Sequence, residues 1–144
     1  MKKINKILIV AFVVLLLLFK IDVKILDEDE LVEAVPRLTH AQNVWINALE
    51  WCESRAKPEA VNPKDTDNTP SYYSYQFKPG TFKDYGEKYG VIEKGLSDEK
   101  IRELMKSHAL QREIVENMLF DPTVRLDRQF PDCVKRKIGY PPNY

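Results

Sequence analysis

This chain of 144 residues has little of what most functional classes require. Its 22 basic and 22 acidic residues cancel, so it lacks the excess positive charge that duplex nucleic acid demands, and nucleic-acid binding is not expected. Two cysteines cannot supply a four-cysteine metal site, the two histidines lie far apart, and no His-Glu-x-x-His is present. Asp65-x-Asp67 resembles the start of a calcium loop, but the sixth position is Pro70 and the twelfth Gln76, where glycine and glutamate are needed. No metal or other cofactor is therefore expected. Internal repeats and low-complexity tracts are absent, and the length suits one folded domain with a modest core.

One long apolar run is present, at residues 7–19, preceded by Lys2, Lys3 and Lys6 and closed by Lys20. Thirteen residues make a helix of about 20 Å, shorter than a hydrocarbon core of roughly 30 Å, although Ile4, Ile21 and snorkelling lysines extend it. No small-x-small cleavage site follows, and no cysteine stands ready for lipidation. Residues 1–21 read as an uncleaved signal anchor, with the positive end cytoplasmic and the remainder outside, or secreted if the segment is removed. Residues 22–38 carry the acidic cluster Asp27, Glu28, Asp29 and Glu30, then Pro36, and read as a solvated stalk.

The folded domain is expected over residues 39–144, mainly α and at most α+β. Thr39-His40-Ala41-Gln42 has the form of a capping box. Ala41, Val44, Trp45, Ala48, Leu49 and Cys52 follow the spacing of one buried helical stripe, with Ile46, Leu49 and Glu53 in an adjoining row. Glu53 thus sits at the rim of the apolar face and at the helix C-terminus, where burial and the macrodipole both favour the protonated acid. Asp65, Asp67, Asn68 and Pro70 are turn residues, and residues 72–77 predict a short strand or hairpin arm lining a cleft. Phe82, Tyr85 and Tyr89 have helical spacing. Further helices are expected after Ser97, around Leu110, Ile114, Val115, Met118 and Leu119, and at Leu126 and Phe130.

The order of these pieces carries chemistry. Trp-Cys-Glu-Ser at 51–54 closes a helix, Arg-Ala-Lys-Pro-Glu-Ala-Val-Asn-Pro follows at 55–63, and Pro-Ser-Tyr-Tyr-Ser-Tyr-Gln-Phe occupies 70–77. This string resembles the catalytic core of the lysozyme-like lytic transglycosylases, in which a helix ends in Glu-Ser and a Gly-Leu-x-Gln element comes some way downstream. The resemblance covers residues 43–85. It implies a lysozyme-like helical domain that cleaves the β-1,4 linkage between N-acetylmuramic acid and N-acetylglucosamine in peptidoglycan, with Glu53 as the single catalytic acid. Ser54 matches the serine after the family's glutamate, and Gln76 matches the glutamine that contacts substrate. Tyr72 and Tyr75 are candidates to stack on sugar rings. The chain departs from the pattern where Tyr73 replaces the glycine and Ser74 the apolar residue after it, and neither Tyr140 nor Tyr144 aligns with the family's late tyrosine.

Three other readings stay open: a hydrolytic muramidase using Asp65 or Asp67 as second carboxylate, a peptidoglycan-binding module without activity, and a partner in an envelope or secretion complex. Export places Cys52 and Cys133 where they can oxidise, and a Cys52–Cys133 disulfide is expected. It is a better account of Cys52 than a nucleophilic pair with His40 or His108.

Overall fold

The computed structural model describes residues 37–65 and 67–142. The anchor and nearly all of the stalk lie outside them, and among the described residues no helix is long and apolar enough to cross a membrane. Leu38, assigned above to the stalk, packs against the domain core.

Helix α1, His40–Ser54, begins as its capping residues dictate: the Thr39 hydroxyl accepts the Gln42 N–H at 3.2 Å, and Gln42 Oε1 accepts the Thr39 N–H at 2.8 Å. It ends without glycine. Arg55, with φ 58°, turns left-handed and returns its N–H to the Trp51 carbonyl at 2.9 Å, and Ala56 follows at φ 54°. The buried face differs from the expected stripe. Ile46 and Leu49 are its centre and Gln42 and Trp45 its flank, whereas Val44 is 52% exposed and Ala41 is exposed too. Two overlapping apolar rows share Trp45 and Leu49. Burial went to the row facing the rest of the domain, where the larger Ile46 lies.

After α1 come two short antiparallel strands, β1 (Val61–Asn62) and β2 (Ser71–Tyr72), with Val61 opposite Tyr72 and Asn62 opposite Ser71. The expected arm over 72–77 is mostly a turn: Tyr73 has φ 65° and Gln76 φ 51°, and the chain re-pairs only where Phe77 bridges Tyr72. Left-handed backbone at two positions prevents an extended run. Tyr73 keeps the conformation in which glycine costs nothing, now with a side chain attached.

Helices α2 (Pro79–Lys88), α3 (Asp98–Leu104), α4 (His108–Phe120), α5 (Leu126–Gln129) and α6 (Pro131–Cys133) follow, and a π-helical turn Val134–Ile138 comes last. The described domain is mainly helical. Ser97 and Ser107 cap α3 and α4 through their hydroxyls. Gly86 lets α2 close on its neighbours, since a Cβ there would stand 2.9 Å from Ile92 Cγ1. Phe82, Ile101, Met105, Ile114, Val115, Met118 and Leu126 fill the centre, and Phe77 meets both Phe82 and Phe130 edge-on at 6.1 Å.

Polar ties then fix the outer pieces. Buried Gln111 donates to the Met105 carbonyl at 2.6 Å and accepts the Tyr75 N–H at 3.0 Å, holding the 73–76 turn to α4. Arg112 on α4 reaches Asn43 and Asn47 on α1. Cys52 and Cys133 form the expected disulfide, 81 residues apart, and Trp45 Nε1 donates to the Gly139 carbonyl at 3.0 Å. The C-terminal segment is thereby secured against α1.

Candidate functional site

Glu53 occupies the last full turn of α1, and the left-handed residues after it swing the chain away and leave its carboxyl at the edge of a cavity of about 560 Å³. Three stretches form the walls: the end of α1 from Cys52 to Arg55, the hairpin with Ala60, Asn62, Ser71, Gln76 and Lys78, and the segment from Arg128 to Cys133 with Lys137. The disulfide joins the first wall to the third.

The carboxyl is partly buried, and among the described residues no hydrogen bond reaches it. Its pKa rises from an ordinary 4.5 to about 7. Loss of water is the largest cause, the negative charge of Asp65 comes next, Lys137 opposes both, and Asp132 adds a smaller upward push. At neutral pH a large share of the molecules therefore carries a protonated Glu53, the state that can deliver a proton.

The other carboxylates nearby are engaged. Asp67 does not line the cavity; Lys78 at 2.6 Å and Thr69 hold it well below the usual carboxylate range. Asp65 does line it and meets the same lysine at 3.8 Å, while Asp132 pairs with Arg136 at 3.1 Å.

Of the residues singled out from sequence, Glu53, Ser54, Asp65, Gln76 and the two cysteines meet at this cavity. Ser54 is buried and its hydroxyl donates to the Glu50 carbonyl one turn back, not to Glu53. The Gln76 amide is committed to the loop: Nε2 donates to the Ala60 and Tyr73 carbonyls at 3.2 and 2.7 Å, and Oε1 accepts from Ser71. Its role in the free protein is to shape the cleft wall. Tyr72 and Tyr75 do not line the cavity; Tyr75 is wholly buried and stacks on His108, and Tyr72 tilts against Tyr73. With Cys52 in the disulfide there is no thiol for a nucleophilic pair, and His108 instead meets Glu50 at 3.0 Å. Among the described residues no cluster of potential metal ligands occurs.

Sequence reasoning missed Lys137, Asp132 and the 128–130 stretch. The signal was available in the cysteine pair, since linking Cys52 to Cys133 brings the neighbours of one beside the neighbours of the other. No protein-family model, curated protein or solved structure matches the chain.

Proposed function

We propose that this protein is a lysozyme-like lytic transglycosylase that cleaves the N-acetylmuramic acid to N-acetylglucosamine β-1,4 linkage of peptidoglycan, held outside the membrane by residues 1–21. The observation that carries the reading is Glu53, a carboxyl withdrawn from water at the edge of a cleft, with a pKa near the operating pH of a general acid. Protonated Glu53 gives its proton to the linking oxygen as the bond to the muramyl C1 breaks. The resulting carboxylate then takes the proton of the muramyl C6 hydroxyl as that oxygen bonds C1, leaving a 1,6-anhydro end and a regenerated acid. No water is consumed, and one carboxyl suffices.

A second reading has its own support. Asp65 lines the same cavity and is the leading charge acting on Glu53, which suits the second carboxylate of a hydrolase. Its ion pair with Lys78 favours the first reading, because it ties the carboxylate to the hairpin wall.

Mass spectra of muropeptides released from isolated cell wall separate the possibilities. Anhydro ends from wild type and from Asp65→Asn, with none from Glu53→Gln, are expected. Reducing ends that vanish with Asp65→Asn establish the hydrolase. Undiminished cleavage by Glu53→Gln sinks both readings, and a folded wild type that cleaves no wall preparation returns the protein to a binding role.

A further inference from the structure

The chain is neutral overall, but its cleft is not. Asp65 and Asp132, the carboxylates that line it beside Glu53, are ion-paired to Lys78 and Arg136. Four other lining residues, Arg55, Lys57, Arg128 and Lys137, are cations, and among the described residues none of them is ion-paired. Arg55 lies over the exposed Trp51 ring at 4.1 Å and is the first of two left-handed residues that turn the chain out of α1. In the run Lys135-Arg136-Lys137, the first two are taken by Asp127 and Asp132, and only Lys137 faces the cavity. These charges come from two stretches of chain, one on each side of the Cys52–Cys133 disulfide that joins them. A concave site with surplus charge of one sign focuses the field and concentrates counter-ions.

We propose that Arg55, Lys57, Arg128 and Lys137 form an anion-selecting rim through which the cleft takes glycans that carry carboxylates in preference to neutral ones. The inference rests on the glycan-cleaving reading for the identity of the polymer, and on the charge inventory for its selectivity. Carboxylates can come from the lactyl group of the muramyl sugar or from its stem peptide, and the chemistry recognised is the same.

Binding to the full chain carrying Glu53→Gln tests this without turnover, using three probes: neutral chitohexaose, amidase-stripped glycan strands bearing lactyl carboxylates, and peptide-bearing strands. At low salt both anionic probes should bind at least about tenfold more tightly than chitohexaose. Raising salt to about 0.5 M should remove most of that preference, as should combining Lys57→Gln, Arg128→Gln and Lys137→Gln, three exposed changes that spare the core. Preference for stripped strands assigns the lactyl carboxylate, and preference for peptide-bearing strands alone assigns the stem. Equal binding of neutral and anionic glycans, a preference that survives both salt and the triple substitution, or tighter binding of an oligonucleotide than of any glycan, overturns the proposal. If wild type cleaves nothing while the charge preference holds, the catalytic reading fails and the rim stands. If it cleaves neutral and anionic glycans alike, the rim fails and the catalytic reading stands.

Discussion

Gln111 and Glu53 are both polar groups withdrawn from water, one beneath the 73–76 turn and the other at the cleft beside it. Gln111 has a carbonyl for its N–H and an N–H for its oxygen, and the turn is bolted to α4 through it. Glu53 has no hydrogen bond among the described residues and answers burial by holding its proton. Adjacent turn residues serve the two regions: Tyr75 gives its N–H to Gln111, and Gln76 lines the cleft. A satisfied buried polar group specifies a fold, whereas an unsatisfied titratable one stores reactivity.

The sharpest way to break this contrast is Glu53→Gln. On the proposed mechanism cleavage should fall about 10²- to 10⁴-fold, measured by release of soluble muropeptides. Stability should move the other way. Between pH 4.5 and about 7 the folded protein holds a proton that the unfolded chain has lost, so stability declines as pH rises through that window and is level above it. The decline amounts to something on the order of 3 kcal/mol, and Glu53→Gln should abolish it in denaturant titrations at pH 5 and pH 8.

Cleft and core should also differ in what connects them. Replacing Cys52 and Cys133 by serine should cost about 4 kcal/mol in chemical unfolding, by the entropy of the loop that the disulfide closes. Intact mass after alkylation, with and without reductant, should show both thiols blocked in oxidised protein. Gln111→Leu should cost about 3 kcal/mol, because a carbonyl and an N–H lose their partner inside the core. Its thermal shift should be large where that of Glu53→Gln at pH 5 is small.

Finer changes sharpen the picture of the cleft. Asp65→Asn removes the leading charge that raises Glu53, so the upper limb of the pH–activity profile should move down by less than about one pH unit. An unmoved limb means that Asp65 does not act on Glu53. Ala56→Gly relieves a left-handed alanine that is exposed, and calorimetry should show a gain of about 0.5 kcal/mol.

Much of the domain was legible where the signal is local. The capping box at Thr39 and Gln42, the Ser97 helix start and the apolar stripe of α4 appear as read. Local reading went astray where two answers share one periodicity. Val44 and Ile46 both satisfy a helical repeat with Leu49, and only the surroundings of α1 put Ile46 inside and Val44 outside. Residues 72–77 have the aromatic content of a strand, yet positive φ at Tyr73 and Gln76 makes a turn that no β-forming composition announces. The tyrosines singled out as sugar platforms illustrate the same limit. An aromatic ring serves a core as well as a ligand, and Tyr75 is wholly buried.

By itself the sequence determined the first domain helix and its start, the helix after Ser97, the apolar stripe of α4, the pairing of its two cysteines, and a glutamate at the end of the first domain helix with apolar neighbours, but not the helix Pro131–Cys133 or the π-helical turn after it. The former follow from spacing and capping, which act over a few residues, and from there being one possible cysteine partner. The tertiary structure alone decided that Asp65, Asp132 and Lys137 act on that glutamate, that Asp67 does not line its cavity, and that four cations with no ion pair among the described residues do line it. A shifted pKa and a charged cavity are sums over groups distant in the chain, and no local pattern encodes which of them arrive together.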